Sequence, residues 1–205
     1  MTALIRKTAL TIAGAAVVGG AVAAPATAFA APAERPGNTE RQLNIRYEAQ
    51  PNFYYCGPAA ARNALTAMDK TPDQDQVAKE MGTTEAGTDS ANDITRFLNK
   101  ETGGKYRTVE ISTPEADDKQ TDTFRADIVK AIDDGRAVVA NVAGTATDTD
   151  GVSHSFEGGH YLSVVGYRDG GDTVKIADSA NPAQASYWMT TEALADWTAT
   201  RGYSS

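Results

Sequence analysis

The sequence predicts an α+β fold, with helices in the first half of the domain packed on an antiparallel sheet built by the second half. Apolar residues recur at helical spacing from Pro58 to Leu98. Between Ala137 and Ala177 they run or alternate at strand spacing. A tight-turn sequence, Arg168-Asp169-Gly170-Gly171-Asp172, joins two of those strand segments. Helices followed by strands, rather than alternating with them, point to a mixed fold without parallel crossovers.

Residues 1–30 have the layout of a secretory signal peptide. Arg6 and Lys7 form a basic start, Leu10 to Ala24 is apolar and small, and Ala28-Phe29-Ala30 fits a small-x-small cleavage site before Ala31. The apolar run is too short and too rich in Ala and Gly for a membrane anchor. No cysteine stands at the cleavage point for lipid attachment, and no later stretch is long and apolar enough to span a bilayer. The expected location is therefore outside the cell, free of the membrane. Residues 31–42 read as a flexible mature N-terminus, and residues 43–205 as one domain without repeat or linker.

Within the domain, Ala61, Ala64, Leu65 and Met68 place one apolar stripe on a helix from Pro58 to Met68. Thr71-Pro72-Asp73 starts a second helix that runs to Met81 and stops at Gly82. Ser90 or Asn92 caps a third, with Ile94, Phe97 and Leu98 inward and Gly103-Gly104 at its end. Tyr106 to Ile111 reads as a strand. Thr123 to Asp133 reads as a helix closed by Gly135. Ala137 to Val142 is a continuous apolar strand, Gly144 to Gly159 a polar loop, and Tyr161 to Tyr167 and Thr173 to Ala177 the arms of a hairpin. Thr191 to Thr200 forms a last short helix that buries Leu194 and Trp197.

Acidic residues outnumber basic ones 27 to 19, for a net charge of −8, and two of the basic residues lie in the signal. Such a chain repels nucleic acid and anionic lipid, and it has no basic, aromatic-interleaved patch. A monomer acting on a peptide or protein is the expected form. One Cys and two His do not make a zinc pattern. Thr147-Asp148-Thr149-Asp150-Gly151 resembles half a calcium loop but lacks its later ligands, so it reads as a solvated acidic turn. Neither a metal nor a cofactor is expected.

Cys56 is the only cysteine, so an internal disulfide is excluded in a compartment where disulfides are the rule. It stands at the mouth of the first helix, where partial positive charge and unpaired N–H groups favour a thiolate. Pro58 suits the first turn, and Gly57 leaves space for close approach of a substrate. A buried or intermolecularly paired thiol is the competing reading on this evidence.

A thiolate needs a base. His154 falls mid-loop among serines and reads as solvated. His160 follows Gly158-Gly159 and opens a strand, a rigid mount with room beside it. A hairpin turning at residues 168–172 pairs positions whose numbers sum to about 338 or 340. In either register Asp178 shares the face of His160 and is placed to hold its tautomer. An odd sum separates them. Asn181 has the wrong parity and reads as a turn residue before Pro182. Gln50 stands a few residues ahead of Cys56. Its amide, with the Cys56 backbone N–H, has the chemistry of an oxyanion donor, although alone it is only a loop glutamine.

Taken together, Gln50, Cys56-Gly57-Pro58-Ala59-Ala60, the run Gly158 to Tyr167 and the run Val174 to Pro182 resemble the papain-like cysteine peptidases. The resemblance is to the branch of double-glycine peptidases named for bacteriocin processing, and spans about Leu43 to Trp197. It implies a papain-like two-lobed fold with the active-site helix against the sheet. It also implies Cys56 as nucleophile, His160 as base, Asp178 as orienting acid and Gln50 as oxyanion donor. Two departures stand out: the acid of the family often precedes a proline, here replaced by Ser179, and the transporter domains of its better-known members are missing. The expected activity is peptide-bond hydrolysis outside the cell. Acyl transfer or transglutamination by the same residues, and a binding module on an inactive scaffold, are the other readings.

Overall fold

The computed structural model describes residues 40–205; the signal-peptide reading of residues 1–30 and the segment through residue 39 lie outside the described residues. The helical periodicity of the first half becomes α1 (Cys56–Thr66), α2 (Gln74–Met81) and α3 (Ala91–Thr102). α2 is capped by the Asp73 carboxylate, which accepts from the Asp75 and Gln76 N–H groups, and Gly82 ends it at φ 73°. Ser90 is the N-cap residue of α3, and Gly103, at φ 75°, ends it. α1 is lined by alanines at 59, 60, 61 and 64 that are almost fully buried. Short side chains on several faces let it lie between the sheet and the other two helices.

The second half builds a seven-stranded antiparallel sheet from β1 (Arg41–Gln42), β2 (Thr108–Glu110), β3 (Val138–Thr147), β4 (Ser153–Arg168), β5 (Thr173–Ala177), β6 (Ser186–Thr190) and β7 (Gly202–Ser204). Its order is β2-β7-β3-β4-β5-β6, with β1 paired to β4 at Gly166 and Tyr167. Arg41 and Gln42 thus belong to the sheet, slightly ahead of the boundary read at Leu43, and not to a flexible tail. α4 (Asp118–Asp133) and α5 (Thr191–Trp197) complete the fold. Among the described residues no helix is long and apolar enough to cross a membrane.

Both faces of the sheet are covered, which explains why Ala137 to Val142 reads as an unbroken apolar run. Val139, Tyr161, Val165 and Ala177 face α1 and α3 in one core with Ala60, Leu65, Ile94 and Phe97. Val138, Ala140, Leu162, Val164, Val174 and Ile176 face α4 and α5 in the other, with Phe124, Ile128, Leu194 and Trp197.

Several expected boundaries change. The segment expected as a loop from Gly144 to Gly159 is mostly strand: β3 continues to Thr147, β4 starts at Ser153, and only the tip turns. The alternation of exposed Ser153 and Ser155 with inward His154 and Phe156 carries that signal. α4 begins a turn before Thr123, because Asp117 and Gln120 form a capping box ahead of it. β6 and β7 form in segments without a strand signal of their own, and α5 stops at Trp197, short of the expected Thr200.

Candidate active site

α1 opens with Cys56 itself, which is only 8% exposed. Its N-cap, Tyr55, supplies no side-chain acceptor, so no cap competes for the N–H groups at the helix mouth. The backbone of Gly57 and of Tyr161 lies beside the sulfur and favours its anion. Gly57 serves a different end from the one expected: a Cβ there would stand 2.5 Å from Thr88 Oγ1 and 3.0 Å from its Cβ. The missing side chain is filled by the protein, not left open for substrate.

His160 lies in the interior of β4, not at its start. It pairs with Val142, while the next pair outward is Gly144 with Phe156. Glu157, Gly158 and Gly159 bulge against the single Ala143, and Gly159 takes φ 94°, a conformation open to glycine. The imidazole stacks on Phe156 with centroids 3.9 Å apart, and Phe156 in turn packs on Trp197 at 5.9 Å. That sandwich fixes the ring plane.

Asp178 reaches His160 by a register change. Near the turn the pairs are Arg168–Thr173, Tyr167–Val174 and Gly166–Lys175. This is an odd-sum register that would turn Asp178 away. A bulge at Val165 shifts the pairing to Val164–Ile176 and Ser163–Ala177, and in that even-sum register Asp178 shares the face of His160. His160 Nε2 is then 2.8 Å from Asp178 Oδ1. Since Nε2 is engaged by Asp178, Nδ1 is the nitrogen left for Cys56. Asn181 instead accepts from the Ala183 N–H in a turn, as its parity indicates.

The Asp178 carboxylate is held at both oxygens. Oδ1 also accepts from the Ala180 N–H at 2.9 Å, and Oδ2 from the Tyr187 hydroxyl at 3.0 Å. Gln50 joins the neighbouring position: its N–H donates to the Ser179 carbonyl at 3.0 Å, and Ser179 Oγ donates to Gln50 Oε1 at 2.9 Å. One amide hydrogen of Gln50 goes to the Asn52 carbonyl at 2.8 Å, which leaves the other available. The strap carrying Gln50 is clamped to α1 through Asn63, whose amide bonds both the N–H and the carbonyl of Glu48 at 2.9 Å.

Electrostatics follow from this packing. Burial pushes the Cys56 thiol up, but the hydrogen bond and charge of His160 and the two backbone contacts outweigh it, and its pKa is lowered. Burial disfavours charge on His160, while Asp178 and Cys56 favour it, and the net is a pKa raised to about 9. Burial likewise raises Asp178, but His160, Ala180 and Tyr187 overcome it and lower its pKa. All three shifts run the same way: each favours the charged form of its group, thiolate, imidazolium and carboxylate in turn.

Residues that sequence reasoning missed lie beyond this line. His154 is buried, not solvated, and its Nε2 is 2.9 Å from Asp148 Oδ2. Asp148 is buried too, and its Oδ1 accepts from the Asp150 and Val152 N–H groups, so the acidic turn is a hairpin tip closed on itself. Tyr187 carries no sequence signal, because the place of β6 depends on its pairing with β5 and not on its own pattern.

The model of the C39-like peptidase family matches residues 42–205. The chain belongs to that family. A putative C39-like peptidase from Bacillus anthracis superposes with a TM-score of 0.57 at 13% identity, over 82% of this chain and 97% of the other. The peptidase domain of Streptococcus ComA, a bifunctional ABC transporter of a quorum-sensing pathway, gives 0.53 at 16% identity, over 78% and 96%. Both share the papain-like fold expected from the sequence. Among curated proteins, none matches this chain.

Proposed function

We propose that this C39-like family member is an exported cysteine peptidase that hydrolyses peptide bonds with Cys56, His160, Asp178 and Gln50. The observation that carries the reading is the buried His160, bonded to Asp178 through Nε2 and close enough to Cys56 to lower the pKa of its thiol. Export rests on the signal-like residues 1–30.

In this reading the Cys56 thiolate attacks the scissile carbonyl, and the carbonyl π electrons move onto oxygen. The free N–H of the Gln50 amide and the Cys56 backbone N–H stabilise that oxyanion. As the C–N bond breaks, the His160 imidazolium gives its proton to the leaving amine. Neutral His160 then takes a proton from water, the hydroxide adds to the thioester, and the thiolate leaves with the carboxylic acid formed. Asp178 keeps the ring in one tautomer and balances its charge throughout.

A peptide-library digest with the mature protein and with Cys56→Ala in parallel, read by mass spectrometry, tests this. New termini that depend on Cys56 support it. Identical digests, or products carrying an amine acceptor in place of water, overturn the hydrolase reading.

A further inference from the structure

We propose that Tyr187 is a positioning residue for Asp178, held in place by the buried His154–Asp148 pair. This rests on the peptidase reading above and adds to the site a second His–Asp pair that touches neither Cys56 nor His160.

The geometry runs along two strands. Tyr187 pairs with Ile176, so it shares the sheet face of Asp178 and stands diagonally from it. Its hydroxyl donates to Asp178 Oδ2 at 3.0 Å. The donors from His160 and Ala180 both use Oδ1, so Tyr187 alone holds the second oxygen among the described residues and fixes the plane of the carboxylate. Burial, then the charge of Asp178, raises the Tyr187 pKa, so the phenol keeps its proton and remains a donor.

The ring of Tyr187 is held in turn. His154 stacks on it with centroids 3.8 Å apart and planes 17° from parallel. Asp148 grips the His154 ring at Nε2, and the hairpin tip grips Asp148 through two backbone N–H groups. The same tip is tied to β6 beside Tyr187, where the Thr149 N–H donates to the Trp188 carbonyl at 2.8 Å. A phenylalanine would fill the stacking position without burying a hydrogen-bonded polar pair. The polar pair sets the rotation of the ring as well as its contact, and with it the aim of the Tyr187 hydroxyl.

The titratable groups around Asp178 are His160 and Cys56 from β4 and α1, Tyr187 from β6, Tyr47 bonded to its carbonyl, and His154 and Asp148 behind Tyr187. Loss of the Tyr187 donor frees Oδ2, so the carboxylate turns out of line with the His160 ring, the imidazolium loses support, and Cys56 needs a higher pH to ionise.

The test is the rate of Cys56 alkylation by iodoacetamide across pH, in the mature protein, with Tyr187→Phe and His154→Gln beside wild type. The readout needs no substrate. The acid edge of the Tyr187→Phe profile is expected at higher pH than wild type, with His154→Gln shifted the same way by less. On a cleaved peptide, kcat for Tyr187→Phe is expected to fall about tenfold with KM unchanged. If a variant folds and its profile and kcat superpose on wild type, or if only its melting temperature falls, the positioning role is overturned. If Tyr187→Phe does not fold, the His154→Gln profile decides. A wild-type thiol with ordinary pH dependence overturns the peptidase reading itself, and the inference with it.

Discussion

Asp178 lies on the same sheet face as His160 because β4 carries an extra residue at Val165. Continued without that bulge, the register at Arg168–Thr173 would set Asp178 opposite Ser163, on the α1 side. The His160 contact would then be lost.

If Asp178 orients His160, its replacement should be far costlier than that of its near neighbour. Asp178→Ala is expected to lower kcat on the order of a hundredfold or more, the range of general acid–base catalysis. Asn181→Ala, which removes only a turn contact at Ala183, is expected to stay within a few-fold. Steady-state kinetics on one peptide compares them, and the reverse order would reassign the acid.

The nucleophile is checked by its chemistry. Cys56 should be alkylated at mildly acidic and neutral pH faster than a thiol with the ordinary pKa of about 8.5, since its own is lowered. A vinyl-sulfone peptide probe should label the protein covalently and fail on Cys56→Ala. Labelling that survives the substitution means another nucleophile.

The pH dependence has a definite sign. The His160 pKa is raised from 6.5 to about 9, so the imidazolium persists through neutral pH and is lost as pH rises past that value. The acid edge is set by ionisation of Cys56, below its usual value. A bell-shaped kcat/KM profile is expected, with its alkaline limb near about 9. An alkaline limb near the ordinary imidazole value would mean that Asp178 and Cys56 do not support the charge.

Gln50 offers a test of the oxyanion role. Gln50→Ala is expected to lower kcat by roughly a hundredfold with little change in KM, as loss of one oxyanion donor does. Ser179→Ala removes only the hydroxyl that holds Gln50 Oε1, so a smaller loss in the same direction is expected. An equal rise in KM with kcat intact would make Gln50 a substrate-binding residue instead.

Gly57 tests packing at the helix mouth. Gly57→Ala drives a methyl group to 2.5 Å from Thr88 Oγ1 and should destabilise the fold by about 1–3 kcal/mol. Thr88→Ala in the same chain should restore part of that loss, measured by urea unfolding. Additive effects would place the strain elsewhere.

Much of this was legible in the chain because it depends on local rules. The caps at Asp73, Ser90 and Gly82 and the apolar stripe of α3 follow from residue types at fixed spacing. So does the place of Cys56 at the mouth of the first helix, although α1 opens at Cys56 itself and not at Pro58. The reading failed where a strand carries few apolar residues: Ser153 to Gly159 looks polar, yet His154 and Phe156 turn inward and the serines outward. It failed again at β6, whose place depends on pairing with β5 and not on its own pattern.

By itself the sequence determined the α+β class, the helix that presents Cys56, and the candidates His160, Asp178 and Gln50, because motif spacing and period are properties of neighbouring residues. The tertiary structure alone decided which of them meet. Bulges at Val165 and at Glu157 to Gly159 have no sequence period, yet one sets the face that Asp178 occupies and the other sets where His160 stands along β4. The structure alone also brought Tyr187, His154 and Asp148 together, since a contact between a strand and a distant hairpin tip is fixed by packing and hydrogen-bond satisfaction across the whole fold.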